Sequence, residues 1–247
     1  MKLLNQCFTG IFLIFLVFTN TAQAQQLSID ASDGNGATSN TVRVIDPSGM
    51  GKKITGLSYA DIGGSPFWKD NWNSAYLYYK NGTVYKLPKA KLNLYTSEVH
   101  YVDNAGVELV AETNLVNKII FLNKNDTTKA LAVFVVLPDY VENKPAAFYK
   151  MFNSGTLALV LLQKNLIKVS PYDPITAKNA SNFYIKNNYA IYNNEKLIPL
   201  KGIDKTSIVS AIPFDATIEN WLKENKNKLK SEEDVISLLN YFNSLHK

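Results

Sequence analysis

The first chemical signal in this 247-residue chain is a group of aromatic side chains near residue 70. Phe67, Trp68 and Trp72 stand immediately before a predicted strand that contains several tyrosines. Aromatic rings stack on sugars or anchor a partner protein, and Trp and Tyr are frequent interface anchors. Core packing under a loop is the favoured interpretation, because each ring gains much by burial. Phe67, Trp68 and Trp72 remain the candidate binding residues.

A general base is the next type of residue to consider, and only His100 suits that role. His100 falls in the predicted strand Glu98–Val102, with its side chain on the same face as the first and last residues of that strand. A Ser-His-Asp assembly would need it near a serine such as Ser65 or Ser97, and the sequence has no G-x-S-x-G elbow. His246, next to the C-terminus, is expected to fray. The sequence therefore assigns no catalytic residue.

Paired carboxylates offer a second route to chemistry. Glu108 with Glu112, or Asp61 with Asp70, could act as the acid and base of a glycosidase. That reaction requires two carboxyl groups about 5–9 Å apart across a cleft. A hydrolase that uses carboxylates in a cleft is therefore the second functional hypothesis.

The sequence gives little support for a bound metal ion or an organic cofactor. Zinc sites need three or four nitrogen or sulfur ligands, whereas this chain has one cysteine, Cys7, and two histidines. Loops could still assemble Asp70, Asp103 or Asp126 around calcium. No phosphate-cradling or dinucleotide-binding glycine motif is present. We predict no metal and no cofactor.

The first 24 residues have the pattern of a secretory signal peptide. Lys2 precedes the apolar run Ile11–Phe18, and Ala22-Gln23-Ala24 forms an A-x-A cleavage site. The run is about half of the roughly 20 residues that span a bilayer. We therefore expect an exported protein of the periplasm or the extracellular space, without an integral membrane anchor. Because Cys7 leaves with the leader, the mature chain would be cysteine-free.

The charge distribution argues against a nucleic-acid partner. The chain has 26 basic and 21 acidic residues, for a formal net charge of +5. Its only arginine is Arg43, although arginine is the preferred residue for bidentate phosphate recognition. Lysines scattered among acids are typical of a solvated surface.

Short strands separated by turn residues dominate the middle of the chain. Residues 25–40 are small and polar and predict a flexible arm, and 41–213 predict an antiparallel β domain, as a sandwich or open barrel. A polar stretch at 138–145 marks a candidate subdomain break, and Asn81-Gly82 predicts a type I′ hairpin. The predicted strands are Thr41–Val44, Ser74–Lys80, Thr83–Leu87, Lys91–Thr96, Glu98–Val102, Val107–Ala111, Lys118–Leu122, Ala130–Leu137, Phe148–Phe152, Thr156–Leu162, Leu166–Ser170, Asn182–Lys186, Tyr189–Tyr192, Lys196–Leu200 and Thr206–Ile212.

The last part of the chain changes to a helical period. Apolar residues recur at helical spacing in Asp215–Lys226 and in Ser231–Leu245, and the acids after Ser231 suit a helix N-terminus. Residues 214–247 therefore predict two amphipathic helices packed on the β domain. The expected fold class is α+β, mainly β.

Two stretches resemble a family of exported proteins from Bacteroidota whose function is unknown. The first is Gly64-Ser65-Pro66-Phe67 ahead of Asn71-Trp72 and an Asn-Gly hairpin, and the second is Ile218–Leu245. The resemblance covers about a third of the mature chain. It implies export and a β domain followed by two helices, and it assigns no activity.

Three functional hypotheses follow from the sequence. The first is a non-catalytic cell-envelope protein or binding module whose partner is an envelope protein or a glycan. The second is the carboxylate hydrolase. The third is a carrier that holds a small hydrophobic ligand between the sheet and the helices.

The leader generates the first prediction. We expect the exported protein to begin at Gln25, because cleavage follows the A-x-A site. N-terminal sequencing of exported material measures this directly. Membrane-associated protein that retains residues 1–24 would contradict it.

Overall fold

The fold is a long antiparallel sheet followed by helices. A computed structural model describes residues 51–53, 59–137, 146–171, 181–193 and 196–246. Within these residues the chain forms a twelve-stranded sheet and three α-helices, two of them at the C-terminal end. The mainly β, α+β prediction is confirmed. The leader, the 25–40 arm, the strand Thr41–Val44 and the break at 138–145 lie outside the described residues.

The order of the strands in the sheet mostly follows the sequence. From one edge to the other it is β1-β6-β5-β4-β3-β7-β8-β9-β10-β11-β12, and β2 pairs with β11 in parallel. The strands β8 and β9, on either side of 138–145, pair directly. The strands are β1 Gly51–Lys53, β2 Ile62–Gly63, β3 Asn73–Tyr79, β4 Val84–Asn93, β5 Glu98–Val102, β6 Glu108–Ala111, β7 Val116–Leu122, β8 Ala130–Leu137, β9 Ala147–Met151, β10 Leu157–Val169, β11 Ser181–Asn193 and β12 Lys196–Pro199.

The Asn81-Gly82 hairpin forms where the sequence predicts it, with a different turn. Only Gly82 has a positive φ, of 82°, so the type I′ prediction is wrong. The Gly82 N–H donates to the Tyr79 carbonyl at 3.0 Å, and the Tyr79 N–H donates to the Thr83 carbonyl at 2.9 Å. This is a three-residue loop that ends in a left-handed glycine. The turn Asp103–Val107 repeats the same pattern.

One strand, β4, covers two of the predicted strands and runs through Pro88 without a break. The register between β3 and β4 shifts between Asn73 and Ala75, next to this proline. Proline has no N–H to offer a ladder and is tolerated at such bulges. Its carbonyl is still used, because Ser74 Oγ donates to it at 3.1 Å.

The strands β10 and β11 also merge predicted pieces, and each is 13 residues long. The sequence predicts a turn at Asn187-Asn188, between the predicted strands Asn182–Lys186 and Tyr189–Tyr192, and this is wrong, since both asparagines lie inside β11 opposite Gln163 and Leu162. The two strands pair continuously from Leu157↔Asn193 to Val169↔Ser181. Their hydrogen bonds to each other override the local preference of asparagine for turns.

The predicted last strand, Thr206–Ile212, is wrong, because this segment is the helix α1, Lys205–Ala211. Asp204 caps the helix, accepting from the Ser207 N–H at 2.9 Å and from Ser207 Oγ at 2.7 Å. These bonds lower the pKa of the Asp204 carboxyl. Capping and the burial of Ile208 outweigh the β preference of the branched residues.

The two predicted C-terminal helices are confirmed. They are α2, Ala216–Glu224, and α3, Glu232–Leu245, and their N-caps are Asp215 and Ser231. None of the described helices is long and apolar enough to span a membrane. The buried residues that join both helices to β10 and β11 form one cluster, which includes Leu157, Leu159, Ile191, Ile218, Leu222, Val235, Leu238, Leu239 and Phe242.

Polar contacts fix α3 against the sheet. Asn243 Oδ1 accepts from the Leu157 N–H at 2.9 Å, and Asn243 Nδ2 donates to the Leu157 carbonyl at 2.8 Å. At the other end of the helix, the Tyr189 hydroxyl donates to Glu232 Oε1 at 2.5 Å. Burial, followed by the bond to Glu232, raises the pKa of Tyr189 to about 12.

Helix packing generates the second prediction. Leu239→Ala should lower the free energy of unfolding by about 2–5 kcal/mol, because its fully buried side chain leaves a cavity. Leu245→Ala in the same helix is the matched control, since Leu245 is 48% exposed. Chemical denaturation measures both variants. A loss below about 1 kcal/mol for Leu239→Ala would mean that α3 is not part of the core.

Candidate functional site

The segment that carries the predicted binding residues lies beside the end of β4. Before β3 begins, the Trp68 N–H donates to the Leu92 carbonyl at 2.9 Å, and the Leu94 N–H donates to the Pro66 carbonyl at 2.7 Å. Phe67 forms an antiparallel bridge with Asn93. The segment therefore acts as a short extra strand, and its side chains alternate between the two faces of the sheet.

This alternation separates the three candidate residues. Trp68 points into the main core of the sheet, with ring centroids 5.2 Å from Phe121 and 5.1 Å from Phe134. Phe67 lies on the opposite face, with Asn93. Trp68 is therefore half-buried against the core, on the face away from Phe67.

Phe67 and Trp72 meet around one lysine. Lys91 Nζ lies 5.0 Å from the ring centroid of Phe67 and 4.6 Å from that of Trp72. All three side chains are half-buried. An ammonium over an aromatic face is held by the charge distribution of the ring. We call Phe67, Trp72 and Lys91 the aromatic–lysine site.

A histidine–glutamate pair adjoins this site. Lys91 lies opposite His100 in the β4–β5 pairing. His100 Nδ1 is 2.8 Å from Glu108 Oε1, and their side chains are 7% and 39% exposed. The Phe67 ring stands perpendicular to the imidazole, with a centroid distance of 5.1 Å. A buried imidazole is therefore held between a partly exposed carboxylate and an aromatic ring.

The pairing of His100 leaves one of its ring nitrogens without a partner. His100 Nε2 is buried and makes no hydrogen bond within the described residues. If Nδ1–H donates to Glu108, the Nε2 lone pair is available as an acceptor, which is the tautomer of a general base. The serines considered for a triad do not bond to it: Ser65 Oγ accepts from the Phe67 N–H, and the Ser97 carbonyl accepts from Thr113 Oγ1.

The sequence missed the partnership of His100 with Glu108. It paired Glu108 with Glu112, whereas Glu112 forms an ion pair with Lys52 at 3.4 Å. The signal was the Asp103–Val107 turn, because a hairpin centred there places His100 opposite Val110, diagonal to Glu108. The register that follows from the Asp103–Val107 turn is therefore sufficient to predict the His100–Glu108 pair.

Two of the carboxylates considered for metal binding, Asp103 and Asp126, accept hydrogen bonds within turns. Asp103 Oδ1 accepts from the Val107 N–H at 2.8 Å, and Asp126 Oδ1 accepts from the Thr128 N–H at 3.1 Å. The bonds to Thr128, with a smaller effect from Lys129, lower the pKa of Asp126. Across the described residues, no three His, Cys, Asp or Glu side chains are grouped so that they could hold a metal ion.

Comparison with known proteins gives no independent guide to function. No family model, no curated protein and no solved structure matches this chain. The function must therefore be argued from the chemistry of the site itself.

The separation of the two tryptophans generates the third prediction. Trp68→Ala should lower the free energy of unfolding by about 3 kcal/mol, because its ring packs against Phe121 and Phe134 in the core. Trp72→Ala should lower it by about 1 kcal/mol, the size of the cation–π contact that it makes with Lys91. Thermal or chemical denaturation of both variants makes the comparison. Equal losses would contradict the assignment of the rings to core and site.

Proposed function

We propose that this chain is an exported, non-catalytic binding module of the cell envelope that binds through its aromatic–lysine site. The observation that supports this proposal most directly is the convergence of Phe67 and Trp72 on Lys91 Nζ, at 5.0 and 4.6 Å. Both rings are half-buried and contact Lys91, so part of each ring surface stays accessible. This combination suits recognition of a ligand on the outer face of the sheet.

A glycan is the ligand class that best fits these side chains. Aromatic faces pack against the C–H groups of a sugar ring, and an ammonium supplies up to three hydrogen-bond donors for hydroxyl groups. The partly exposed carboxylate of Glu108 adds acceptors close by. Donors and acceptors around flat apolar surfaces complement the alternating polar and apolar surfaces of a sugar.

The hydrophobic-ligand carrier is less well supported. It would need space between the sheet and the helices, where packed side chains already meet. Leu159, Leu238 and Leu239 are fully buried there, and Leu157 is 1% exposed. A ligand at this place would have to displace well-packed core residues.

A hydrolase is the second candidate, with His100 as its base instead of the paired carboxylates, because of one observation. His100, bonded to Glu108 and with Nε2 unpartnered, has the orientation that a carboxylate gives to a general base. Such an enzyme would activate water directly, since no serine is bonded to this imidazole among the described residues. Burial of Nε2 is the argument against it, because a base must reach the proton that it removes.

The aromatic–lysine site generates the fourth prediction. On an array of bacterial and plant oligosaccharides, we expect the wild-type protein to bind a defined subset. Trp72→Ala should weaken binding to that subset by about fivefold to tenfold, because the variant loses one ring-stacking contact worth about 1–1.5 kcal/mol. Calorimetric titration with the tightest-binding oligosaccharide measures the loss.

Two controls make this result specific. Trp221→Ala removes a half-buried tryptophan that stacks on Tyr241 in the helical region, far along the sequence from the site, and it should leave glycan binding unchanged. His100→Ala should also leave binding within about threefold, and wild-type protein should release no product from the bound glycan. Cleavage that His100→Ala abolishes while the fold is retained would favour the hydrolase instead.

A further inference from the structure

A second surface lies on the far half of the β10–β11 hairpin. Beyond the positions where β9 and β12 pair with it, the hairpin continues as Leu162–Val169 and Ser181–Asn188. We call this part of the hairpin the arm, as distinct from the predicted N-terminal arm at 25–40. Neither of its strands contains an acidic residue, and together they contain three lysines, Lys164, Lys168 and Lys186.

The pairing register places all three lysines on one face of the arm. Lys164 lies directly opposite Lys186, and Lys168 lies four residues along the same strand. Like charges directly opposite each other destabilise a sheet. None of the three forms an ion pair with a described residue. The fold therefore gains nothing electrostatic from this arrangement.

The same face presents an exposed aromatic ring between the charges. Tyr184 pairs with Leu166. Leu166 lies two residues from Lys164 and two residues from Lys168, so this pair stands between the lysines on the same face. The Tyr184 side chain is 46% exposed, and Leu166 is half-buried. We call these five residues the lysine–tyrosine face.

The other face and both edges of the arm hold it in place, and at the β11 edge β2 pairs with Ser181 and Asn182. Asn165 Nδ2 donates to the Ser65 carbonyl at 2.8 Å, and the Asn165 N–H donates to the Leu94 carbonyl at 3.2 Å. The Phe183 ring packs against Tyr59 and Tyr95, each with a centroid distance of 5.6 Å. These contacts leave the lysine–tyrosine face directed away from the segments that hold the arm.

We propose that the lysine–tyrosine face docks the protein onto an anionic lipid surface. Three unpaired ammonium groups complement the negative charge of acidic headgroups. Tyrosine and leucine distinguish a bilayer from a soluble polyanion, because apolar side chains gain free energy at the headgroup boundary and gain little from a hydrated chain of charges. Lysine side chains can extend to the headgroups while the ring sits deeper.

This inference rests on the proposed export of the protein, and it is independent of the glycan site. Each lysine near an anionic surface should strengthen membrane binding about fivefold. Such binding should weaken steeply with added salt, since Lys168 and Lys186 are exposed and the attraction of exposed charges is screened over about 10 Å at 0.1 M.

Vesicle flotation tests the proposal. The processed wild-type protein should float with vesicles of phosphatidylcholine and phosphatidylglycerol and remain unbound with phosphatidylcholine alone. Lys164→Gln/Lys168→Gln/Lys186→Gln should weaken binding by at least about tenfold. The matched control Lys86→Gln/Lys124→Gln/Lys228→Gln removes the same charge from exposed lysines elsewhere, and it should keep most of the binding.

Tyr184→Ser separates a bilayer from a soluble polyanion. It should weaken binding to the phosphatidylglycerol vesicles by about threefold to tenfold while leaving all lysines in place. No binding of the wild-type protein to these vesicles, or equal losses in the two triple variants, would overturn the proposal. So would binding that Tyr184→Ser leaves unchanged and that dextran sulfate abolishes. Trp72→Ala should still float, so failure of the glycan site and failure of the membrane surface give different results.

Discussion

The backbone of Leu157 is the point at which the sheet and the helices become one structure. Its N–H and carbonyl both bond to the Asn243 amide of α3, and its carbonyl also accepts from Asn153 Nδ2 at 3.0 Å. Asn153 is almost fully buried. Gly155 has a φ of 123°, and a Cβ at that position would collide with the Asn243 amide. Two asparagines and a glycine therefore fix where β10 begins and where α3 ends, because an unpaired buried amide would be costly.

The junction at Leu157 also sets the register of β10 and β11 farther along the sheet. With Leu157 and Leu159 held under the helices, the register of β10 is set, and a slip of one residue would expose every apolar side chain of one face. The same register places Lys164 opposite Lys186. The charge arrangement of the arm is thus determined by a contact at the other end of the strand, and it cannot relax by sliding.

Periodicity in the sequence was sufficient to predict the mainly β class and the two C-terminal helices. Local turn signals were less reliable, for reasons visible at particular residues. Pro88 and Asn187 lie inside strands because pairing with neighbours compensates for a poor local fit. The branched residues of α1 favour a strand, but the Asp204 cap and the burial of Ile208 require a helix. Strand pairing and the burial of Ile208 are tertiary effects that no short window of sequence contains, whereas the Asp204 cap is a local contact with Ser207.

The candidate site shows the same division between local and long-range information. The aromatic cluster was evident in the sequence, but the alternation that sends Trp68 to the core and Phe67 to the outer face depends on the bridge between Phe67 and Asn93. Lys91 could be added to the rings only when β4 was known to continue past Pro88. The pairing of His100 with Glu108 likewise needs the register of β5 and β6.

The sheet registers also relate the two proposed surfaces to each other. Phe134, a core residue, pairs with Lys150, and Lys150 pairs with Leu161, so Leu161 lies on the core face and Lys164 on the opposite face. Lys91, adjacent in sequence to the buried core residues of β4, lies on that opposite face too. If the arm rests on a membrane, the aromatic–lysine site therefore belongs to the face of the sheet that carries the docking lysines. A rigid sheet, rather than a linker, would then set the orientation of the site, and its ligand is best sought among glycans attached to or lying close to the lipid surface.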